Sequence, residues 1–165
     1  MNRAAGGFEP VSGNDIHLLP EDDSAIDAVV EAIDAAADHV HMLFYIWLDD
    51  VSGRKVAAAA CRAARRGVAV RVMVDGLGSR ALTRSATWDE MRAAGVDCRR
   101  ADPVRLSLVR AMLSRVDLRN HRKIVVIDHA IGFTGSRNCA DMAFAIKPRF
   151  APWIDILLRI EGPVV

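Results

Sequence analysis

The chain has 165 residues, 52% of them hydrophobic and 26% charged, with a formal net charge of +1. That length makes one ordinary domain with room for a sizeable core, and the composition excludes a disordered tail, a collagen-like fibre and a charged low-complexity segment. The charge is unevenly spread: up to Asp50 there are eleven acids and one base, whereas Arg54 to Lys123 holds seventeen Lys or Arg against six acids, so the later segment reads either as an attractor of phosphate-bearing partners or as a solvated Arg-rich surface.

Asp15 to Leu19 reads as a short strand. Asp22 and Asp23 form a cap cluster ahead of an amphipathic helix from Ser24 to Asp38, in which Ile26, Val29, Val30, Ile33 and Ala37 recur at helical spacing. His39 to Leu48 is apolar almost throughout, which predicts a strand buried on both faces. A turn at Asp50 to Gly53 precedes an Ala-rich helix from Arg54 to Arg66, stopped by Gly67. Val68 to Asp75 alternates as a strand and leads into a glycine loop, Gly76 to Ser79. A helix from Thr83 to Ala94, a strand from Val96 to Arg100 and a helix from Val104 to Leu113 follow. Ile124–Ile127 and Ile131–Thr134 read as strands joined by a tight turn at Asp128 to Ala130, and Trp153 to Ile160 is the last strand. Strand and helix alternate, so the fold class is α/β.

Cys61, Cys98 and Cys139 are odd in number and widely spaced, without C-x-x-C, which points away from a disulfide scaffold and toward a reducing compartment. Met1 to Val11 has no apolar core of a secretory signal, and the longest apolar run, Met42 to Leu48, falls far short of the roughly 20 residues that span a bilayer. The expectation is a soluble or peripheral chain.

Most of the chemistry sits in Asn120 to Asn138, N-H-R-K-I-V-V-I-D-H-A-I-G-F-T-G-S-R-N. His121 and Lys123, two apart on an entering strand, share a face. Asp128 falls at the far end of that strand. A hairpin returns Gly135-Ser136-Arg137-Asn138 to the side of His121 and Lys123. An imidazole, a fixed cation, a hydroxyl and an amide gathered on one side of a sheet suit a tetrahedral phosphate: cation and neutral donors hold its oxygens while imidazole nitrogen attacks phosphorus.

The spacing H-x-K-x4-D-x6-G-S-x-N, filled by His121, Lys123, Asp128, Gly135, Ser136 and Asn138, resembles the HKD motif of the phospholipase D superfamily. Gly67 to Asp75 followed by Gly78-Ser79, Asn120-His-Arg-Lys, and Trp153 with Arg159-Ile-Glu-Gly-Pro163 are similar to the first half of bacterial cardiolipin synthases. That branch often carries a glutamate two residues before the tyrosine; here Leu43 precedes Phe44-Tyr45, so a carboxylate orienting the histidine is absent or comes from elsewhere. The resemblance implies a single phospholipase D-like domain over residues 1–165, built on a mixed, largely parallel sheet with helices on both faces. It also implies a phosphatidyltransferase acting through a phosphohistidine on His121. Lys123, Ser136 and Asn138 would hold phosphate oxygens, and Asp128 would be a motif member that tethers or reacts. No cofactor and no metal are implied.

Only one such motif is present, and the mechanism needs two. The second would come from a missing C-terminal half or from a homodimer mate. The implied partner is anionic phospholipid, with the protein cytoplasmic and peripheral at the inner face of a bacterial membrane. The alternatives are a single-motif homodimeric phosphodiesterase or endonuclease, with nucleic acid as partner, and a non-catalytic interaction domain. Val104 to Arg119, apolar on one side with Arg105, Arg110, Arg115 and Arg119 on its flank, reads either as an anionic-lipid contact or as a helix packed on the domain. His17, His39, His41 and His129, which lack local partners in sequence, read as structural.

Overall fold

The computed structural model describes residues 11–101, 119–144 and 154–165. In chain order these form β1 (Asp15–Leu18), α1 (Ser24–Ala35), β2 (His39–Phe44), α2 (Val51–Arg65), β3 (Ala69–Asp75), a 3-10 turn (Leu82–Arg84), α3 (Ala86–Ala93), β4 (Asp97–Ala101), β5 (Ile124–Ile127), β6 (Ile131–Gly135) and β7 (Leu157–Glu161). The expected Val104–Leu113 helix, nearly all of the Val104–Arg119 stretch, and Trp153 lie outside the described residues.

The strands form one mixed sheet in the order β1-β7-β6-β5-β2-β3-β4. It is parallel through β2, β3 and β4. From β2 to β5 and onward through β6, β7 and β1 it is antiparallel. Since β5 runs against β2, Ile124 pairs with Leu43, and the end of β2, the end of β3, the start of β5 and the end of β6 share one rim of the sheet.

The core lies on one face. Val40, Met42 and Phe44 of β2, Val70, Val72 and Val74 of β3, and Val125 and Ile127 of β5 are buried together with Ile26, Val29 and Ile33 of α1 and Val56 and Ala60 of α2. Among the described residues α1, α2 and α3 all belong to this layer; the further helix expected over Val104–Leu113 lies outside them. β2 therefore alternates, with His41 and Leu43 only half-buried on the other side. It ends at Phe44, earlier than its apolar run suggests, because Trp47 turns away into a bridge with Cys139.

Two helix boundaries differ from the periodicity for polar reasons. The apolar spacing of α1 continues to Asp38, but the helix stops at Ala35. The Asp128 carboxylate accepts the backbone N–H groups of Ala37, Asp38 and His39 at 2.8, 2.9 and 2.8 Å, which draws them out of the helical path. At α2 the expected turn at Asp50 to Gly53 is instead the cap and first turn of the helix. Asp50 accepts from Gly53 N–H at 2.8 Å, and Asp141 takes the N–H groups of Val51 and Ser52. Gly53 has no alternative there, since a Cβ would lie 1.8 Å from the Leu48 carbonyl oxygen. The single helix expected over Thr83–Ala94 is split by Ser85, whose extended backbone separates the 3-10 turn from α3. β7 begins at Leu157, and residues 154–156 before it make no strand.

Asp128 and His129 close the β5–β6 turn with φ of 53° and 52°, a left-handed pair that Asp and His tolerate better than most residues. The His129 ring stacks on His39 at 4.2 Å, and His39 on His41 at 4.8 Å. Burial, followed by the neighbouring His39, Arg71 and His129, pushes the His41 imidazole below its ordinary range.

Burial alone would raise the Asp128 carboxyl, but the three N–H donors outweigh it and hold the group below the usual carboxylate range. A depressed folded-state value means that the stabilisation is complete above the ordinary carboxylate pKa and fades as pH falls through the lower folded value. Asp128→Asn is therefore expected to cost about 2 kcal/mol at pH 7, read by urea unfolding. The gap to the parent should shrink steadily in a series taken below pH 4.

Candidate active site

Tyr45, one residue past β2, forms the floor of the site. The His121 ring lies against it, with centroids 4.1 Å apart and planes tilted by 41°, and Lys123 Nζ stands 6.0 Å from the same ring centroid. His121 and Lys123 are thus brought together at one aromatic ring. They do so just ahead of β5, and not within it: residues 119–123 make no strand, and β5 starts at Ile124. The expectation of a shared strand face is corrected to a shared aromatic ring. Lys123 Nζ also donates to the His121 carbonyl at 2.8 Å.

The imidazole has a defined polarity. His121 Nδ1 lies 3.1 Å from the Arg119 carbonyl oxygen. A carbonyl only accepts, so this contact assigns the proton to Nδ1 and leaves the lone pair on Nε2. His121 is exposed, so Nε2 is presented to an incoming group. The carboxylate that Leu43 does not supply is replaced at Nδ1 by this main-chain oxygen.

Asn138 is buried, and its Oδ1 accepts the Ile46 N–H at 3.3 Å, leaving the amide NH2 as the side chain's donor. It lines the same crevice as Lys123. Ser136 is held differently. Its hydroxyl donates to Asp155 at 2.6 Å and accepts from Ile156 N–H at 3.0 Å. The Ser136 proton is thus already directed at a carboxylate and not at the space above Tyr45. Gly135 permits the approach, because a Cβ there would sit 2.1 Å from the Ile156 carbonyl oxygen. Arg137, whose side chain is 7% exposed, donates to the Asp22 carbonyl at 2.9 Å and ties the start of α1 to this loop.

Asp128 is not brought to this cluster. It lies at the opposite end of β5, its oxygens taken by the start of β2. His39, His41 and His129 gather at that same far end. Three residues that sequence reasoning missed complete the rim: Tyr45, Arg119 and Asp155. Tyr45 was visible only as the companion of a missing glutamate, and Asp155 as a lone carboxylate between Ile154 and Ile156. Among the described residues no group of three or more His, Cys, Asp or Glu side chains could hold a metal ion.

A family model described as "Cardiolipin synthase, PLD-like domain" matches residues 29–148, a span that contains Tyr45, His121, Lys123, Ser136 and Asn138. The chain belongs to this phospholipase D-like family. It is 42% identical over 159 residues to cardiolipin synthase A of Proteus mirabilis and 40% identical to that of Edwardsiella ictaluri, covering 96% of this chain in each case. It spans 32% of the length of either relative. Among solved structures, the phospholipase D family member Nuc from Salmonella typhimurium superposes with a TM-score of 0.61 at 21% identity, covering 92% of this chain and 85% of that one. NucT from Helicobacter pylori gives 0.58 at 18% identity, with 92% and 87% covered. These two likenesses carry the phospholipase D-like fold.

Within this phospholipase D-like rim, burial draws the Lys123 ammonium below its ordinary range and the Asp155 carboxylate opposes that effect. Asp155→Asn is expected to lower Lys123 further, so more of the amine is neutral near pH 9. Acylation of Lys123 by an amine-directed reagent, followed by peptide mass spectrometry, should then run about threefold faster than in the parent.

Proposed function

We propose that this domain supplies one catalytic half of a phosphatidyltransferase of cardiolipin synthase type. The observation that carries the reading is the His121 imidazole, protonated at Nδ1 by its contact with the Arg119 carbonyl, with Nε2 open beside Lys123. In the first step Nε2 bonds to the phosphorus of an anionic phospholipid. The P–O bond to the departing alcohol breaks, and that oxygen takes a proton from a second histidine. In the second step an alcohol on another lipid gives its proton to that second histidine and attacks phosphorus, and the P–N bond breaks to release His121. Covalent catalysis thereby divides one hard displacement into two easier ones.

Lys123 and the Asn138 amide hold the phosphate oxygens in this reading, with the cation matched to charge that grows on them. Ser136 acts mainly through Asp155, setting the height of the loop that carries Asn138. Asp128 is an architectural clamp. The second histidine belongs to a second HKD motif, from the rest of a longer chain or from a homodimer mate. The one-third span of the cardiolipin synthases that the chain covers supports the first source. The reading places the protein at the inner face of a bacterial membrane as a peripheral enzyme without a cofactor; among the described residues no helix is long and apolar enough to cross a membrane.

The second reading is a homodimeric phosphodiesterase acting on nucleic acid. It draws on the basic Arg54–Lys123 segment, which suits a polyanion. Identity of 42% to cardiolipin synthase A over 96% of the chain favours lipid.

The test is trapping by rapid denaturation in alkaline detergent with phosphatidylglycerol labelled in its phosphate, on the chain alone and with a second HKD half added. The expected outcome is alkali-stable label on His121 that His121→Ala abolishes, with the fold unchanged by circular dichroism. Lys123→Ala should lower turnover about 100-fold or more, and chelators should have no effect. Undiminished turnover by His121→Ala, or activity lost to chelators and restored by a divalent ion, would reject the mechanism.

A further inference from the structure

His121 stands on a segment that no strand ladder holds, yet its ring is fixed in position and polarity. Among the described residues its direct supports are the Arg119 carbonyl at Nδ1 and the Tyr45 ring beneath. Both lead to the loop after β3. One Arg119 guanidinium nitrogen lies 2.9 and 2.8 Å from the two Asp75 carboxylate oxygens. The two side chains are 8% and 11% exposed, so the pair is largely withdrawn from water. Asp75 is itself pre-set, because its Oδ1 accepts the Leu77 and Gly78 N–H groups at 2.8 Å each. The other support leads to the same loop. Ser79 Oγ donates to the Tyr45 carbonyl at 3.1 Å and accepts from Trp47 N–H at 2.9 Å, while Ser79 N–H donates to the Asp75 carbonyl at 3.0 Å. Gly78 allows this contact, since a Cβ there would fall 2.5 Å from the Tyr45 carbonyl oxygen. Asp75, Arg119, His121, Tyr45 and Ser79 thus form a closed circuit.

We propose that Asp75 is a positioning residue for His121: by holding Arg119 against the β3 loop it keeps the Arg119 carbonyl at Nδ1, and so keeps Nε2 free to attack. This rests on the nucleophile role proposed for His121. The physical need is specific. A histidine in water favours the Nε2–H tautomer, which has no lone pair where the reaction requires one. The Nδ1 contact reaches only two residues back along the chain, so it survives only while residue 119 is held. Removing the Asp75 charge takes away the two contacts that fix the Arg119 guanidinium against the β3 loop, and the carbonyl two residues before His121 loses that anchor.

The experiment reads the tautomer directly. Protein labelled with 15N-histidine is examined by long-range 1H–15N correlation at pH 8.5, with the His121 signals assigned by their loss in His121→Gln. The parent is expected to show the Nδ1–H form at His121. Asp75→Asn keeps the shape and an acceptor oxygen but removes the charge, and it should shift the tautomer ratio at least threefold toward Nε2–H. Arg119→Lys, which keeps the cation but not the planar group, should shift it in the same direction. A parent already in the Nε2–H form overturns the proposal without any variant, and so does either folded variant that keeps the parent's ratio. Turnover plays no part in this measurement. A His121 that carries the phosphoryl label but ignores Asp75 sinks only the positioning role, whereas a locked tautomer without label sinks only the nucleophile.

Discussion

The antiparallel pairing of β5 with β2 is the constraint on which the site depends. In an all-parallel continuation, the residues that precede β5 would lie at the opposite end of the sheet from Tyr45. With β5 reversed, the chain arrives at the rim where β2 and β3 leave it, and His121 and Lys123 arrive over Tyr45. The β5–β6 hairpin then returns Ser136 and Asn138 to the same rim. Four separated stretches meet at one edge because one strand runs against its neighbour.

Charges at this rim are held by neighbours and not by water alone. Lys123 is half-buried and rests above an aromatic face, with the Asp155 carboxylate on one side and the His121 carbonyl at its ammonium. Asp75 and Arg119 are withdrawn further. For Asp75, burial works to raise the carboxyl, but the Gly78 and Leu77 N–H groups and the Arg119 guanidinium outweigh it and hold the group below the usual range. In the proposed reading, groups held in this way meet a charged substrate already oriented, with less of the reorganisation that water would need.

Much of this was legible in the sequence. Periodicity found the strands and helices of the parallel half, Gly67 marked the end of α2, and the spacing from His121 to Asn138 pointed to His121, Lys123, Ser136 and Asn138, which share one rim, but also to Asp128, which does not. The failures have particular causes. The α1 end and the α2 start are set by the carboxylates of Asp128, Asp50 and Asp141. Asp128 and Asp141 act from about ninety residues away, beyond the reach of any local pattern. His121 and Lys123 look like strand residues because they abut one, but their partners are an aromatic ring and main-chain carbonyls, which no i, i+2 count can show. Asp128 sits inside the motif's spacing and yet outside the site, because a strand has two ends and the spacing does not say which end each residue serves.

The left-handed turn at Asp128 and His129 bears on how the molecule assembles. β5 and β6 are joined by three residues, whereas more than twenty separate β2 from β3, β3 from β4 and β6 from β7. Closing the short loop carries the smallest entropic cost of any pairing in the sheet, and hairpins of this kind form quickly. Once the turn is closed, the Asp128 carboxylate is aimed at the backbone that leaves α1. The shortest closure in the sheet thereby shapes the seat for β2, and β2 in turn carries the floor on which His121 rests.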